Sequence, residues 1–275
     1  MCENPYFVMS QFCYVPCGKC LFCRKARGRS WLVRCMLESN YWAFAQFVTL
    51  TYDDDHLGDS LLHKEHLQLF FKRMRKAGLQ FSYYACGEYG ETTYRPHYHA
   101  IIFSNWYQAS EIEKHWQNGN VMVYVANNAM MAYVCGYVTN KFSIGNNTIM
   151  SMLEREQRQF SLMSRRPALG LRSVNDLVKY CNGIDVLDGV RIAGDYYGLP
   201  RYLRDKLRKE IFSEADIERL REARIANYKD SLQEKVKEWY NDRGIEMPLG
   251  FREAYKKFAE QNVRNVHAFH SLKNR

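Results

Sequence analysis

The chain has 275 residues, 47% of them apolar and 15% aromatic, with a formal net charge of +9. That length suits one large domain or one plus an appendage, with ample apolar surface for a core. No apolar run reaches the roughly 18 to 20 residues of a membrane span, and MCENPYFVMSQF lacks the basic and apolar regions of a secretory signal. A cytosolic protein is the default expectation, and the basic balance suits an anionic partner such as nucleic acid.

The first feature in chain order is CYVPCGKCLFCRKARGR, where Cys13, Cys17, Cys20 and Cys23 crowd together among nine cysteines. In a cytosolic chain such a cluster points to metal rather than to disulfides. Each C-x-x-C step lets two thiolates reach one zinc ion, and the two steps share Cys20. A site this cramped competes with reduced, unliganded thiols as the plainer reading. Pro16-Cys17-x-x-Cys20 matches part of the nucleobase-deaminase signature, but here the histidines follow it and lack the glutamate. The flanks give no thioredoxin-like context for a redox pair.

From Arg24 to Trp42 the pattern is helical, with Trp31 and Cys35, and Leu32 and Met36, at i, i+4. Arg24, Arg27, Arg29 and Arg34 around it form either a solvated face or a backbone-contacting patch. A strand follows at Phe44–Tyr52, then the polar Asp53-Asp54-Asp55. Leu67, Phe70, Phe71 and Met74 predict a helix over about His63 to Ala77, stopped by Gly78. Two strands occupy Gln80–Glu88 and Pro96–Ser104. Ser110-x-x-Glu113 reads as a capping box opening a short helix that ends near Gly119. Asn120 to Ala126 is a further strand, and a helix from about Asn128 to Lys141 closes the unit. The order β-α-β-β-α-β plus one helix is α+β and ferredoxin-like (split βαβ), an antiparallel sheet with helices on one face. Topology alone does not separate a catalyst from a passive binder.

The two central strands carry the chemistry. In RPHYH, His97 and His99 alternate and so share one face. Glu88 of GEYG can arrive from the neighbouring strand, giving two nitrogens and a carboxylate oxygen for a divalent metal with positions left open. The plainer reading has both imidazoles merely lining a half-buried sheet. In AYVCGYVTNK, Tyr133 and Tyr137 lie four apart on one helical face, with Lys141 a turn further along. They could equally be amphipathic core residues. Together with a metal, however, a tyrosine hydroxyl is a candidate nucleophile on a phosphodiester. Its ordinary pKa of about 10 calls for a cation such as Lys141 or the metal nearby.

Beyond Asn147 come a turn-like linker, SIGNNT, and SMLEREQRQFSLMSRRP, which starts as a charged helix and ends at Arg165-Arg166 before Pro167. Lys179 to Pro200, with Tyr196-Tyr197, reads as loops. Ser213 with Asp216 caps a long charged helix over about Glu214 to Asp242. Pro248-Leu249-Gly250 breaks it ahead of a basic tail.

The set PCGKCLFCRKARGRSW, FVTLTYDDDHL, GEYG, RPHYHAIIF and YVCGYVTNK, with weaker echoes at FSLMSRRPALG and GLPRY, resembles the HUH endonucleases that start rolling-circle replication. Within them it is similar to the replication initiators of the microviruses, particularly the gokushovirus branch. The resemblance implies that His97 and His99 bind Mg²⁺ or Mn²⁺ with Glu88 as third ligand, and that Tyr133 and Tyr137 are the nucleophiles. It implies a nick in the viral strand at the origin, a 5′-phosphotyrosine link and a free 3′-OH. Later joining would release circular single-stranded genomes. The host polymerase and helicase would be partners, in the cytoplasm of the host bacterium. Relatives commonly carry a basic residue three positions after each tyrosine. Here those positions are Gly136 and Asn140, and the lysine stands at Lys141, which favours Tyr137 as first nucleophile.

The expected organisation is a Cys-rich segment and helix over 1–43, an HUH nuclease core over 44–145, a loop-rich extension over 146–212 and a helical basic region over 213–275. Zinc would sit at the N-terminal cysteines, and Arg27, Arg34, Arg95, Arg165 and Arg166 are candidate DNA contacts. The alternative is a non-catalytic single-stranded nucleic-acid binder, presenting Tyr83, Tyr84, Tyr98 and Phe103 from a ferredoxin-like sheet. It leaves the coincidence of His-x-His, glutamate and paired tyrosines unexplained.

Overall fold

The structure, a computed structural model, describes residues 2, 5–8, 13–90, 92–140, 159–181, 188–258 and 261, without the side chains of residues 7, 13, 14, 137–140 and 224. In chain order the elements are β1 (Tyr6–Val8), β2 (Cys13–Val15), α1 (Leu21–Ser39), β3 (Phe44–Tyr52), α2 (Lys64–Lys76), β4 (Phe81–Tyr89), β5 (Pro96–Ser104), α3 (Ala109–Glu113), β6 (Gly119–Val125) and α4 (Asn128–Asn140). There follow β7 (Phe160–Met163), α5 (Ser173–Val178), β8 (Gly189–Ile192), β9 (Asp195–Gly198), α6 (Arg201–Ile211) and α7 (Glu214–Asn241). A last helix, α8, runs over 251–258. The chain divides into two compact units, Lys25–Ile211 and Met1–Arg24 with Phe212–Arg275. No helix among the described residues is long and apolar enough to cross a membrane.

The larger unit is built on one antiparallel sheet in the order β6-β3-β5-β4-β7. Its first four strands have the ferredoxin-like order, since β5 inserts between β3 and β4. Alternation along each strand sends Val48, Leu50, Tyr52, Tyr98, Ala100 and Ile102 to one face. There they meet Leu67, Phe70, Phe71 and Met74 of α2, with Ile112 and Trp116 from the α3 region. The other face carries Tyr84, Cys86, Ile101 and Phe103 against Cys35 and Met36 of α1 and Met131, Val134 and Cys135 of α4. Helices therefore cover both faces. The expected one-sided arrangement holds for α2 and α3, while α1 and α4 seal the opposite side, because both sets of alternating residues are apolar.

Several local expectations change. The Ser110 capping box does not form: the N-cap of α3 is Gln108, with no side-chain cap bond, and Ser110 lies inside a helix of five residues. FSLM is not the end of a helix but strand β7, which pairs along the open edge of β4 from Tyr84↔Met163 to Gly87↔Phe160. The expected loops over Lys179 to Pro200 contain the hairpin β8–β9. The charged segment before β7 includes residues 151–158, which lie outside the described residues. Gly119 is required at the start of β6, with φ +141°. A Cβ there would collide with the Asp53 nitrogen and the Thr51 carbonyl oxygen.

After β7 the chain turns back to α1. Arg34 Nε donates to the Leu169 carbonyl at 2.8 Å, and buried Glu38 accepts from the Gly170 N–H at 2.7 Å and the Trp42 indole at 2.9 Å. In the smaller unit, β1 and β2 pair as a short ladder. Ser213 caps α7 as expected, its hydroxyl accepting from the Asp216 N–H. Leu232, Val236 and Tyr240 recur every four residues and pack on Ala254 and Tyr255 of α8.

Candidate functional site

The register of the central strands assembles the site. Across the sheet, Cys86, His99, Thr49 and Met122 stand in one row, and Glu88, His97, Thr51 and Asn120 in the next. All lie on the face covered by α1 and α4. Glu88, His97 and His99 offer ligand atoms that all lie within 4.8 Å of one another. His97 Nε2 stands 2.8 Å and His99 Nε2 3.1 Å from the same Glu88 oxygen, Oε1. Glu88 is 1% exposed, and its second oxygen, Oε2, is buried without a hydrogen-bond partner.

That geometry fits a divalent cation. His97 Nδ1 lies 3.2 Å from the Arg95 carbonyl, and His99 Nδ1 lies 3.0 Å from Thr49 Oγ1. A proton on His97 Nδ1 would donate to that carbonyl and leave the Nε2 lone pair facing a carboxylate oxygen. Two acceptors at 2.8 Å need a proton or a metal between them. Burial pushes the Glu88 carboxyl upward, and the bonds to His97 and His99 more than offset it, holding it below the ordinary carboxylate range. The group could hold a metal; its identity is not fixed by the donors, since two imidazoles and a carboxylate suit several divalent ions.

Tyr133 of α4 closes one side. Its ring is edge-on to His99, with centroids 5.4 Å apart, and to Phe47 at 6.3 Å, while Phe47 stacks on His99 at 5.3 Å. Met131, Val134 and Cys135 point into the core, so Tyr133 stays at the rim, 44% exposed. The backbone of Tyr137 continues the same helix one turn on; its side chain and Lys141 lie outside what is described. Beyond Thr49 and Phe47, edge strand β6 adds Met122 and Tyr124 to the same face, exposed by 48% and 50%. Sequence reasoning missed this apolar shelf, although alternation in NVMVYVA marks those two residues as sharing a face.

The arginines separate into different roles. Arg34 is withdrawn from the DNA-contacting set. It is buried, with its guanidinium over Trp31 at 4.3 Å and Tyr202 at 4.5 Å as well as bonded to Leu169. Burial lowers its pKa. Arg95 is tied to the Tyr52 carbonyl at 3.0 Å and to Asp54 at 2.7 Å, so it braces the end of β3. Arg27 is exposed on α1. Arg165 and Arg166 are exposed and, with Arg75 and Arg172, line a groove of about 940 Å³ beside Trp42, Phe81 and Tyr83. Among the described residues no carboxylate pairs with these four. The groove meets β4 at Ser82, about 20 Å along the strand from Glu88 at ~3.3 Å per residue.

The aromatics that a passive binder would present do not reach the surface: Tyr83, Tyr84, Tyr98 and Phe103 are all buried. The N-terminal cysteines do gather, with a different membership from that expected. Cys2, Cys17, Cys20 and Cys23 bring their sulfurs within 4.8 Å of one another, and none is in a disulfide. Backbone N–H groups of Cys20 and then Lys19 hold the Cys17 thiol down at about 6, whereas burial pushes Cys23 up to about 12. The side chain of Cys13 lies outside what is described.

Fold and site together describe an α+β protein in which an antiparallel sheet carries a His-x-His and carboxylate group beneath a tyrosine-bearing helix. Residues 45–142, from inside β3 to just past α4, match the family model of the ORF2-type replication-associated proteins. The chain therefore carries a domain of that family, and the stretch holds Glu88, His97, His99 and both tyrosines. The chain is 28% identical over 242 residues to replication-associated protein ORF4 of Chlamydia phage 1, covering 78% of this chain and 58% of that protein. It is 28% identical over 223 residues to replication-associated protein VP4 of Bdellovibrio phage phiMH2K, covering 70% and 67%. The chain thus spans little more than half to two thirds of the length of these two relatives. Replication-associated protein ORF2 of Spiroplasma virus 4 is 38% identical over 105 residues, covering 33% and 32%. These phage proteins bear out the resemblance to microvirus replication proteins. Among solved structures, the hypothetical protein ORF119 from Sulfolobus islandicus rod-shaped virus 1 aligns with a TM-score of 0.30 and 18% identity, over 42% of this chain and 97% of its own, too distant to bear on function.

Proposed function

We propose that this chain is a rolling-circle replication initiator that nicks one strand of viral DNA at its origin and stays attached through a phosphotyrosine. The observation that supports it most is the ring of Tyr133 against His99, at the edge of a buried Glu88–His97–His99 group. A metal-dependent hydrolase that used water would not need a tyrosine there.

In this reading Glu88 Oε1 and Oε2 with the two Nε2 atoms hold Mg²⁺ or Mn²⁺, which would draw charge from a phosphate oxygen and favour displacement at phosphorus. The Tyr133 phenol loses its proton to solvent, and its oxygen attacks the phosphorus of a phosphodiester. The new bond is Oη–P; the bond that breaks is P–O3′, and the departing oxygen takes a proton to become a 3′-OH. That hydroxyl primes host polymerase. The tyrosyl ester keeps the energy of the bond, so a later 3′-OH can displace the phenol and reseal the strand without ATP. Tyr137, one turn along α4, serves as the second nucleophile while the first still holds an end. Met122 and Tyr124 offer a shelf on which bases of the incoming strand can rest.

The test uses the full chain with Mn²⁺ and single-stranded oligonucleotides tiling the source genome, labelled at either end. The expected result is a 3′ label that moves into a covalent protein band on a denaturing gel, while the 5′ label leaves on a shorter fragment. Cleavage without an adduct rejects the tyrosine mechanism. Binding without cleavage by any oligonucleotide leaves a passive binder.

A further inference from the structure

We infer that Cys2, Cys17, Cys20 and Cys23 form a tetrathiolate zinc site that fastens the N-terminal ladder β1–β2 to the first turn of α1. The Cys17–Cys23 and Cys2–Cys20 sulfur pairs are each 3.9 Å apart, and all four sulfurs fall within 4.8 Å. Zinc–sulfur bonds of about 2.3 Å set the edge of a sulfur tetrahedron at about 3.8 Å. A disulfide needs its sulfurs at about 2.05 Å, so these pairs sit at the spacing of ligands around one ion and not of a bond.

The backbone is arranged for the same purpose. The N–H groups of Lys19 and Cys20 point at Cys17 Sγ at 3.4 and 3.3 Å, and the Cys17 N–H points at Cys2 Sγ at 3.2 Å. Gly18, at φ +73°, makes the tight turn that aims them. Such N–H groups stabilise sulfur as thiolate, the form in which it binds a metal. Four thiolates on one dication leave a double negative charge, and the sequence that follows is basic, with Lys19, Arg24, Lys25 and Arg27.

Register explains why the fourth thiol is Cys2. Tyr6 pairs with Val15, so the chain before β1 and the chain after β2 leave the ladder at the same end. Cys2 and Cys17 are on those two segments. Cys13 pairs with Val8 at the other end of the ladder. A two-stranded ladder of three residues per strand has too little buried surface to persist alone, and an ion at its open end supplies the missing constraint. An S₄ tetrahedron with no open position is the donor set of a structural zinc.

The experiment is metal analysis of the full chain expressed with zinc and iron both present, beside Cys2→Ser, Cys13→Ser and Cys2→His. We expect one zinc per chain in the wild type and in Cys13→Ser, retained on dialysis against a weak chelator. Cys2→Ser should lose it, and Cys2→His, which restores a ligand, should regain it. Cobalt replacement should give intense thiolate-to-cobalt absorption, weaker in Cys2→His by about one quarter. The proposal is overturned by a wild-type chain without zinc, by iron in its place, or by zinc that survives Cys2→Ser and is lost in Cys13→Ser. None of these readouts depends on DNA cleavage.

Discussion

The ring of Tyr133 meets the imidazole of His99 edge-on, with centroids 5.4 Å apart and planes at 78°. Because His99 Nε2 faces Glu88, the contact ties helix α4 to the candidate metal group through one shared side chain. Tyr133→Phe keeps the ring and removes only the hydroxyl. At a half-exposed position it should change stability by less than about 0.5 kcal/mol. If the phenol is the nucleophile, the first-cleavage adduct should fall at least about 10³-fold. Tyr137→Phe should leave the first cleavage and block the second. An adduct time course with each variant decides, and wild-type adduct from Tyr133→Phe would transfer the first step to Tyr137.

Glu88 joins both histidines through one oxygen and leaves the other without a partner. Glu88→Gln should therefore weaken Mn²⁺ binding by at least about 100-fold, since it removes a ligand and its charge. Calorimetry measures this directly. Thermal unfolding gives a second readout: a metal at about 100 times its dissociation constant stabilises the wild type by about 2.7 kcal/mol, and the shift should vanish in the variant. The sign of the pH effect follows from a carboxyl held below its ordinary value. Its contribution is present above the unfolded value of about 4.5 and is lost as pH falls through the lower folded value.

Much of this was legible because the determinants are local. Phe44–Tyr52 and Pro96–Ser104 are strands with the bounds their patterns predict, and His-x-His fixes two imidazoles on one face whatever the partner strand. What escaped depends on distant pairing. FSLM carries no alternation and becomes a strand only because β4 offers an open edge. Arg34 reads as part of a solvated basic face, yet Trp31 and Tyr202, far apart in sequence, enclose it. Cys2 stands fifteen residues from Cys17, and only the β1–β2 register brings them together. Ser110 shows the converse: a correct local motif was overridden when the chain entered α3 at Gln108.

Met122 and Tyr124 stand exposed on the site face of β6, opposite Thr49 and Phe47. On an edge strand such residues add nothing to the core, so truncation should be nearly neutral for folding. Base stacking on an aromatic ring contributes about 1–3 kcal/mol. Tyr124→Ala should therefore weaken single-stranded DNA binding by roughly 5- to 150-fold, and Tyr124→Phe should largely restore it. Fluorescence anisotropy in the presence of a non-cleaving Tyr133→Phe, Tyr137→Phe background isolates binding from chemistry. Equal affinity for Tyr124→Ala and the background would remove this shelf from the DNA path.

The remaining arginines make a quantitative contrast. Arg165 and Arg166 face an open groove with Arg75 and Arg172, and no carboxylate pairs with these four among the described residues. Arg95 is already engaged by the Tyr52 carbonyl and Asp54. Each phosphate neutralised on a single strand contributes about 0.7 to the slope of log affinity against log salt. Replacing Arg165 and Arg166 by alanine should thus reduce the slope by about 1.4 if both contact the backbone. Arg95→Ala should leave the slope unchanged and lower the melting temperature instead, since it frees a carbonyl at the end of β3. Affinity measured from about 50 to 200 mM salt separates these outcomes. An unchanged slope in the double variant would confine DNA to the neighbourhood of Tyr133, about 20 Å away at ~3.3 Å per strand residue.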